Sequence, residues 1–287
     1  MSAHRQYRAV FISDVHLGTK DCQAKKLLKV LREIECETIY LVGDILDIWS
    51  LRRKWYWPKT HNEIVRRLVK DDENLPNVIF VPGNHDELFR DYDGYEFGKV
   101  TIRNEVVHTT LEGRKILVVH GDEFDAVVTN AKLITKVGDW LYYLLLYINR
   151  KFNRLRRAMR MPYWSLSAFV KKHVKSVISF VANFEKFLVK DARKRGVDGV
   201  ICGHIHYPQI RNIDGIVYLN CGDWVENCTA IVETLEGKLE LVDFSETDVD
   251  DERHSSRRTA SADPHWEAES LADFPALVGS GSGRDGG

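Results

Sequence analysis

Five times in this chain a short apolar run stops at residues that can bind a cation. Arg8 to Ile12 leads into Ser13-Asp14-Val15-His16, and Thr38 to Val42 into Gly43-Asp44. Asn77 to Val81 leads into Pro82-Gly83-Asn84-His85-Asp86, Lys115 to Val119 into His120-Gly121-Asp122, and Gly196 to Cys202 into Gly203-His204-Ile205-His206. Apolar runs of this length read as strands buried on both faces. Their C-terminal ends then share the sheet edge at which open α/β folds place ligands. The pivot is Tyr40 to Asp47, where Asp44 follows directly on Gly43. Standing alone, Asp44 reads equally well as a turn or helix-cap residue. Four further runs with the same ending make it a candidate metal-bridging carboxylate.

The intervening segments fit an α/β chain. Asp21 to Glu35 carries Leu27, Leu28, Val30, Leu31 and Ile34 at helical spacing, so with its flanking strands it forms a β-α-β unit and predicts a parallel sheet. His61 to Lys70 is a second predicted helix. Val106 to Thr110 and Lys115 to Val119 read as strands around the turn Glu112-Gly113-Arg114. Asp125 to Arg160 and Ser165 to Lys194 are long helical stretches separated near Met161-Pro162. Ile216 to Asn220, Ala230 to Glu233 and Leu239 to Val242 read as a closing antiparallel layer. The expected organisation is one domain over residues 1–245 with a helical insert at 125–195, followed by an acidic, Ser- and Gly-rich tail at 246–287 expected to be disordered.

A net charge of -1 provides no whole-molecule attraction to nucleic acid, so no nucleic-acid partner is expected. Charge is nevertheless uneven. Arg150 to Arg195 holds 14 Lys and Arg against Glu185 and Asp191, whereas Glu246 to Gly287 holds 10 acids against 4 Arg. Five scattered cysteines without a CxxC spacing suggest neither a disulfide framework nor a thiolate zinc site. The short polar N-terminus does not read as a signal peptide, and no run reaches the roughly 18 apolar residues that span a bilayer. A cytoplasmic protein is expected, with membrane contact limited to the periphery.

The strand ends together offer Asp14, His16, Asp44, Asn84, His120, His204 and His206, a mixed oxygen and nitrogen donor set. Such a set suits two divalent ions, with Mn²⁺ first and Fe²⁺ or Zn²⁺ as alternatives. Two ions that share a bridging carboxylate activate a water and neutralise phosphoryl oxygens. His85 suits proton transfer or charge stabilisation at the reacting group, with Asp86 as its orienting carboxylate. Asp47 reads either as an acceptor that orients a metal-bound imidazole or as an acid at a helix N-terminus. His61, His108, His173, His254 and His265 fall outside the blocks and are expected to be surface or packed residues.

The ordered blocks Asp-x-His, Gly-Asp-x-x-Asp, Gly-Asn-His-Asp, His-Gly-Asp and Gly-His-x-His, from Asp14 to His206, resemble the calcineurin-like metallophosphoesterase superfamily. The resemblance implies an α/β sandwich of two mixed β-sheets flanked by helices, with the helical insertion added to it. It also implies that Asp14, His16, Asp44 and His206 hold one ion, that Asp44, Asn84, His120 and His204 hold the other, and that His85 contacts the scissile phosphate. Within the superfamily, Ser13 to Gly18, Gly43 to Trp49 and the insert between His120 and Gly203 look most like the UDP-2,3-diacylglucosamine hydrolase branch of lipid A synthesis. Active members of that branch tend to carry Arg where this chain has His85.

The implied substrate is therefore an anionic lipid-linked nucleotide sugar met at the inner membrane surface. Trp49, Arg52, Arg53, Arg154 and Arg157 are its candidate contacts, although the tryptophans at 49, 55 and 57 equally suit packing on the next helix. In the insert, the apolar run Trp140 to Ile148 beside Arg150, Lys151, Arg154, Arg156, Arg157 and Arg160 suits an anionic amphiphile, or else a hairpin packed on the core. A broader phosphatase or phosphodiesterase, and a metal-free scaffold that binds RNA or a membrane, are the alternative functions.

Overall fold

The computed structural model describes residues 5–124 and 175–247. Most of the predicted insert, including Arg154 and Arg157, lies outside the described residues, as do the tail beyond residue 247 and His173, His254 and His265. The described residues form β1 (Arg5–Ile12), α1 (Ala24–Glu33), β2 (Ile34–Val42), α2 (Ile48–Arg53), α3 (Lys59–Val69), β3 (Asn77–Val81), β4 (Glu96–Phe97), β5 (Val100–Ile102), β6 (Val106–Thr109) and β7 (Lys115–Val118). From residue 175 onward come α4 (Lys175–Arg195), β8 (Gly199–Cys202), β9 (Gln209–Ile213), β10 (Ile216–Asn220), β11 (Thr229–Glu233) and β12 (Leu239–Asp243).

The strands build a seven-stranded sheet in the order β12-β11-β1-β2-β3-β5-β4 and a five-stranded sheet in the order β6-β7-β8-β10-β9. The five strands that end in candidate ligands occupy two parallel groups, β1-β2-β3 in the first sheet and β7-β8 in the second. Pairs such as Ile12 with Leu41 and Val42 with Val81 keep the ends of β1 to β3 level.

Alternation along each strand builds the layers. Ala9, Phe11, Tyr40, Val42 and Val81 face Ile116, Val118, Ile201 and Leu219 across the space between the sheets. Val10, Ile12, Ile39, Leu41, Val78 and Phe80 point the other way, onto Leu27, Leu28, Leu31, Ile64 and Leu68 of α1 and α3. On the far side, Leu117, Val200 and Tyr218 pack against Phe184, Leu188 and Ala192 of α4. Burial on both faces explains why these strands are continuous apolar runs.

Several boundaries differ from the sequence reading. Ile34 and Glu35, expected at the end of a helix, open β2, because the chain turns extended at Ile34 to pair with Arg5 and Gln6. The expected closing antiparallel layer is divided between the sheets: β10 pairs parallel with β8, whereas β11 joins β1 and carries β12 to the edge of the other sheet. Strands β4, β5 and β9 had no sequence expectation.

A buried polar group joins the two sheets. The carboxylate of Glu233 on β11 accepts hydrogen bonds from Arg8 (2.9 Å) and from the Leu111 N–H (2.7 Å), and it lies 2.8 Å from His108 Nε2 on β6. His108 Nδ1 in turn lies 3.0 Å from the Tyr40 hydroxyl on β2. His108 and His61 are thus packed residues, the latter accepting the Gly18 N–H at 3.1 Å. Replacing Glu233 by Ala strands a guanidinium and an imidazole, and is expected to cost about 3–5 kcal/mol in urea unfolding. A loss under about 1 kcal/mol would show that water reaches the cavity and replaces the carboxylate.

Candidate metal centre

The level ends of β1, β2 and β3 put the loops after them side by side. The Asp14 N–H bonds to Gly43 O (3.0 Å), the His16 N–H to Asp44 O (2.9 Å) and the Leu17 N–H to Ile45 O (2.8 Å), so β1 and β2 continue as a paired ribbon past their last strand residues. The second sheet joins at the same place, since the His204 N–H donates to Asp14 Oδ2 at 2.9 Å and His120 Nδ1 lies 3.0 Å from Val42 O. Such close approach leaves no space for a side chain at Gly43, where a Cβ would fall 2.1 Å from the His120 ring, or at Gly203, where it would fall 1.8 Å from Ser13 Oγ.

Asp14, His16 and His206 form one cluster of donors, and Asp44, His120 and His204 form another, while His16 also belongs to a third trio with Asp47 and His85, each with one atom per residue within 4.8 Å of the rest. The first two are the candidate ion sites. Asp44 stands between them. Its Oδ2 lies 3.4 Å from His120 Nε2 and 3.9 Å from both His16 Nε2 and His85 Nε2, while its Oδ1 accepts the His85 N–H at 2.8 Å. Asn84, on the loop after β3, has its Oδ1 buried.

The donor set fits divalent ions on two observations. Asp14 Oδ1, His16 Nε2, Asn84 Oδ1 and His120 Nε2 are buried without a hydrogen-bond partner, a costly state unless something else completes them. Asp14 Oδ1 also lies 2.9 Å from His206 Nε2 without the alignment of a hydrogen bond. Two atoms each about 2.1 Å from one ion and at right angles around it stand about 3 Å apart. Among the described residues no cysteine joins these clusters, which leaves nitrogen and oxygen donors.

The electrostatics agree. Burial would raise the carboxyls, yet His206 holds Asp14 down at about 2, and His120 followed by His16 and His85 holds Asp44 well below the usual carboxylate range. Burial would likewise depress the imidazoles, yet Asp47, Asp44 and Asp14 push His16 up to about 9, and Asp44 carries His120 well above its ordinary value. The carboxylates therefore draw positive charge into a buried space, and a divalent ion supplies what protons otherwise would.

Around the clusters, His85 sits beside Asp44 with its ring 4.3 Å from that of Trp49 and tilted 33° to it. Trp49 lies in the first turn of α2 and is 41% exposed. Trp57 packs partly on the core and edge-on to His61, Trp55 is exposed, and Arg52 and Arg53 are exposed on α2. Of the three tryptophans, then, one packs, one faces the site and one faces solvent.

One expected role is corrected. The Asp86 carboxylate accepts the N–H groups of Gly83 (2.6 Å), Ile45 (2.8 Å) and Leu46 (3.1 Å), and so is spent on holding the loops after β2 and β3 together. Burial, followed by Asp44, pushes it up to about 6. The carboxylate beside the His85 ring is that of Asp47, whose Oδ1 lies 3.2 Å from His85 Nδ1. Asp47 also caps α2, accepting the Ser50 N–H at 2.7 Å, as its reading at a helix N-terminus expects.

Two neighbours went unnoticed in the sequence. Ser13 donates to Val42 O at 2.5 Å and to Asp14, which fixes the first ligand loop. Asp223 has its Oδ2 3.7 Å from His206 Nδ1, and a sixth apolar run, Ile216 to Asn220, ending in Cys221-Gly222-Asp223, was the signal for it.

Residues 7–208 match the family model described as calcineurin-like phosphoesterase. The chain belongs to this family, and the family and its hydrolase relatives make it a metal-dependent phosphoester hydrolase of a class that uses a dinuclear divalent centre. The UDP-2,3-diacylglucosamine hydrolase of Neisseria meningitidis serogroup B is 27% identical over 241 residues, 78% of this chain and 92% of the relative. That of Haemophilus influenzae is 27% identical over 229 residues, 78% and 93% of the two chains. Among solved structures, an archaeal phosphodiesterase matches with 15% identity and a TM-score of 0.39, over 82% of this chain and 98% of its own.

Because His16 and His120 are drawn toward the protonated form, ion binding near pH 7.5 must displace protons. Calorimetric titration of metal-stripped protein with Mn²⁺, run in buffers of different ionisation enthalpy, is expected to show net proton release and weaker binding as the pH falls. Binding without proton release would mean that these imidazoles are not ligands.

Proposed function

We propose that this chain hydrolyses the diphosphate of UDP-2,3-diacylglucosamine, giving UMP and the lipid 1-phosphate, at a centre of two Mn²⁺ ions. The supporting observation is the pair of donor clusters meeting at Asp44, in a chain whose diacylglucosamine hydrolase relatives align over about nine-tenths of their own lengths. Asp14, His16, Asp44 and His206 hold one ion, and Asp44, Asn84, His120 and His204 hold the other. When bound, the ions supply an activated water and neutralise the oxygens of the phosphoryl group under attack.

The chain's own groups do the rest. Asp44 spans both clusters and fixes the spacing of the site, while Ser13 and Asp86 hold the loops that carry it. His85 turns Nε2 toward the same space as Asp44 Oδ2, where an imidazole can donate to a phosphoryl oxygen or to the leaving oxygen. Trp49 covers one face of that imidazole and places an indole at the site's margin, beside the exposed Arg52 and Arg53, a surface suited to an anionic substrate with an apolar part. No described helix is long and apolar enough to cross a membrane. In this reading the chain meets its lipid-linked substrate peripherally, at the cytoplasmic face.

His85 supports one further reading. Where a guanidinium would grip a diphosphate through two parallel hydrogen bonds, an imidazole offers one, which equally suits a simpler phosphodiester.

Detergent-solubilised UDP-2,3-diacylglucosamine with Mn²⁺ and a panel of soluble phosphoesters, followed by ³¹P NMR, separate these readings. UMP and lipid 1-phosphate are the expected products. Turnover of soluble esters alone would overturn the lipid substrate and leave the hydrolase. His85→Ala is expected to retain two ions and lose about 10²–10⁴-fold in kcat.

A further inference from the structure

In the two-ion reading, Asn84 and His120 bind the same ion although they come from different sheets, Asn84 from the loop after β3 and His120 from the loop after β7. Asn84 Oδ1 and His120 Nε2 are both buried without a hydrogen-bond partner. An ion pair outside the donor set joins these two loops. Arg90 Nη2 donates to Asp122 Oδ1 at 2.6 Å and to Oδ2 at 2.8 Å, and makes a longer bond of 3.4 Å to Pro82 O. Pro82 stands two residues before Asn84, and Asp122 two residues after His120, so a single nitrogen touches both ligand loops.

Each end of this tie is anchored. Arg90 lies in the 3₁₀ helix Glu87–Tyr92, where its carbonyl accepts from Asn104 Nδ2 at 3.2 Å. The neighbouring Phe89 bonds through its N–H to Asp86 O at 3.1 Å, and its ring meets that of Phe80 on β3 edge-on at 5.5 Å. On the other side, Asp122 opens the short turn Asp122–Phe124, and Phe124 packs on the cluster of Phe184 and Leu188 of α4. Gly121, between His120 and Asp122, lies so close to α4 that a Cβ there would fall 2.7 Å from the Phe184 ring. The side chains are 29% and 11% exposed, too open to water for the pair to contribute much to the stability of the fold.

We infer that Arg90 and Asp122 are a positioning pair, a clasp across the two sheets that sets the separation of Asn84 and His120 and with it the affinity of the second ion. A metal ion tolerates its ligands only within about 0.2 Å of their proper distances, so groups that place a ligand loop act on affinity without touching the ion. The first ion draws on Asp14, His16 and His206, and the polar contacts of Arg90 reach neither of the loops that carry them. The clasp therefore acts on one ion of the two.

The inference rests on the two-ion reading and not on the lipid substrate. Metal-stripped wild-type protein and Arg90→Ala are to be titrated with Mn²⁺ by calorimetry and followed by electron paramagnetic resonance. The wild type is expected to bind two ions and to show the broadened spectrum of a coupled pair. In Arg90→Ala one ion is expected to weaken about 10–100-fold while the other is unchanged, so that the spectrum of an isolated ion dominates at limiting Mn²⁺. Arg90→Lys, which keeps a charge for Asp122 without the planar reach to Pro82, is expected to fall between the two. The melting temperature of the metal-free chains is expected to stay close to that of the wild type.

Asn84→Ala removes a ligand of the second ion, and in that background Arg90→Ala is expected to leave the remaining tight ion untouched. A further loss there would put the action of Arg90 on the first ion and overturn the clasp. Equal weakening of both ions with a lower metal-free melting temperature would make the pair a general brace and overturn it as well. One ion per wild-type chain would overturn the two-ion reading together with the clasp, whereas two ions bound alike by wild type and Arg90→Ala would overturn the clasp alone.

Discussion

The arrangement depends on burying the Asp44 carboxylate, which is almost excluded from solvent and has three imidazole nitrogens within 3.9 Å of one of its oxygens. A lone carboxylate so placed would take up a proton. It remains anionic because His120, His16 and His85 converge on it from three different loops. That convergence requires β1, β2 and β3 to end level and β7 to end opposite them, so the sheet register and the face-to-face packing of the two sheets are both conditions for the site. In turn, the carboxylates keep His16 and His120 drawn toward positive charge, and the cluster is complete only with cations among its members.

Backbone conformation shows how strongly the ends are constrained. Asp14, His16, Asp44, His204 and His206 all have φ between 52° and 67°, in the left-handed region. Each such residue costs about 1–3 kcal/mol unless its surroundings over-determine it. Here they do: paired N–H bonds between the β1 and β2 loops, the Trp224 N–H on Asp14 O and the Asp86 carboxylate across Gly83, Ile45 and Leu46 leave these segments little freedom. Asp and His are also among the non-glycine residues that tolerate this region best. The chemistry required of these positions and the backbone they adopt therefore select the same residue types.

Much of this was legible in the sequence, and for a physical reason. Strands buried on both faces must be continuous apolar runs, and a polar residue directly after such a run must have a partner at the sheet edge, so the blocks at Asp14, Asp44, Asn84, His120 and His204 stand out. Sheet membership was not legible, because β11 and β12 carry the same local pattern whether they pair with β10 or cross to β1. Short edge strands such as β4 and the mostly exposed β9 lack an apolar signature altogether. The exchange of Asp86 for Asp47 beside His85 has a similar origin. Asp86 is next to His85 in the chain, but its side chain turns back on its own loop, while Asp47 reaches the ring across the β2–β3 pairing. Adjacency in sequence is a poor guide wherever the backbone reverses direction at every step.

The division of labour within the site follows from the same geometry. Two ions sharing one carboxylate recognise a phosphoryl group through its charged oxygens, which every phosphoester presents, so the centre fixes the reaction and is nearly blind to what the phosphorus carries. Discrimination must then come from groups that contact the rest of the substrate. His85 lies between these two parts of the structure, bonded through its N–H to Asp44 and with its ring 4.3 Å from that of Trp49 on α2. A guanidinium at this position would bring a rigid fork of donors and a permanent charge, suited to gripping two linked phosphates. An imidazole brings a single donor and no permanent charge. Any preference of such a centre for one phosphoester over another must therefore be supplied by groups outside the two donor clusters.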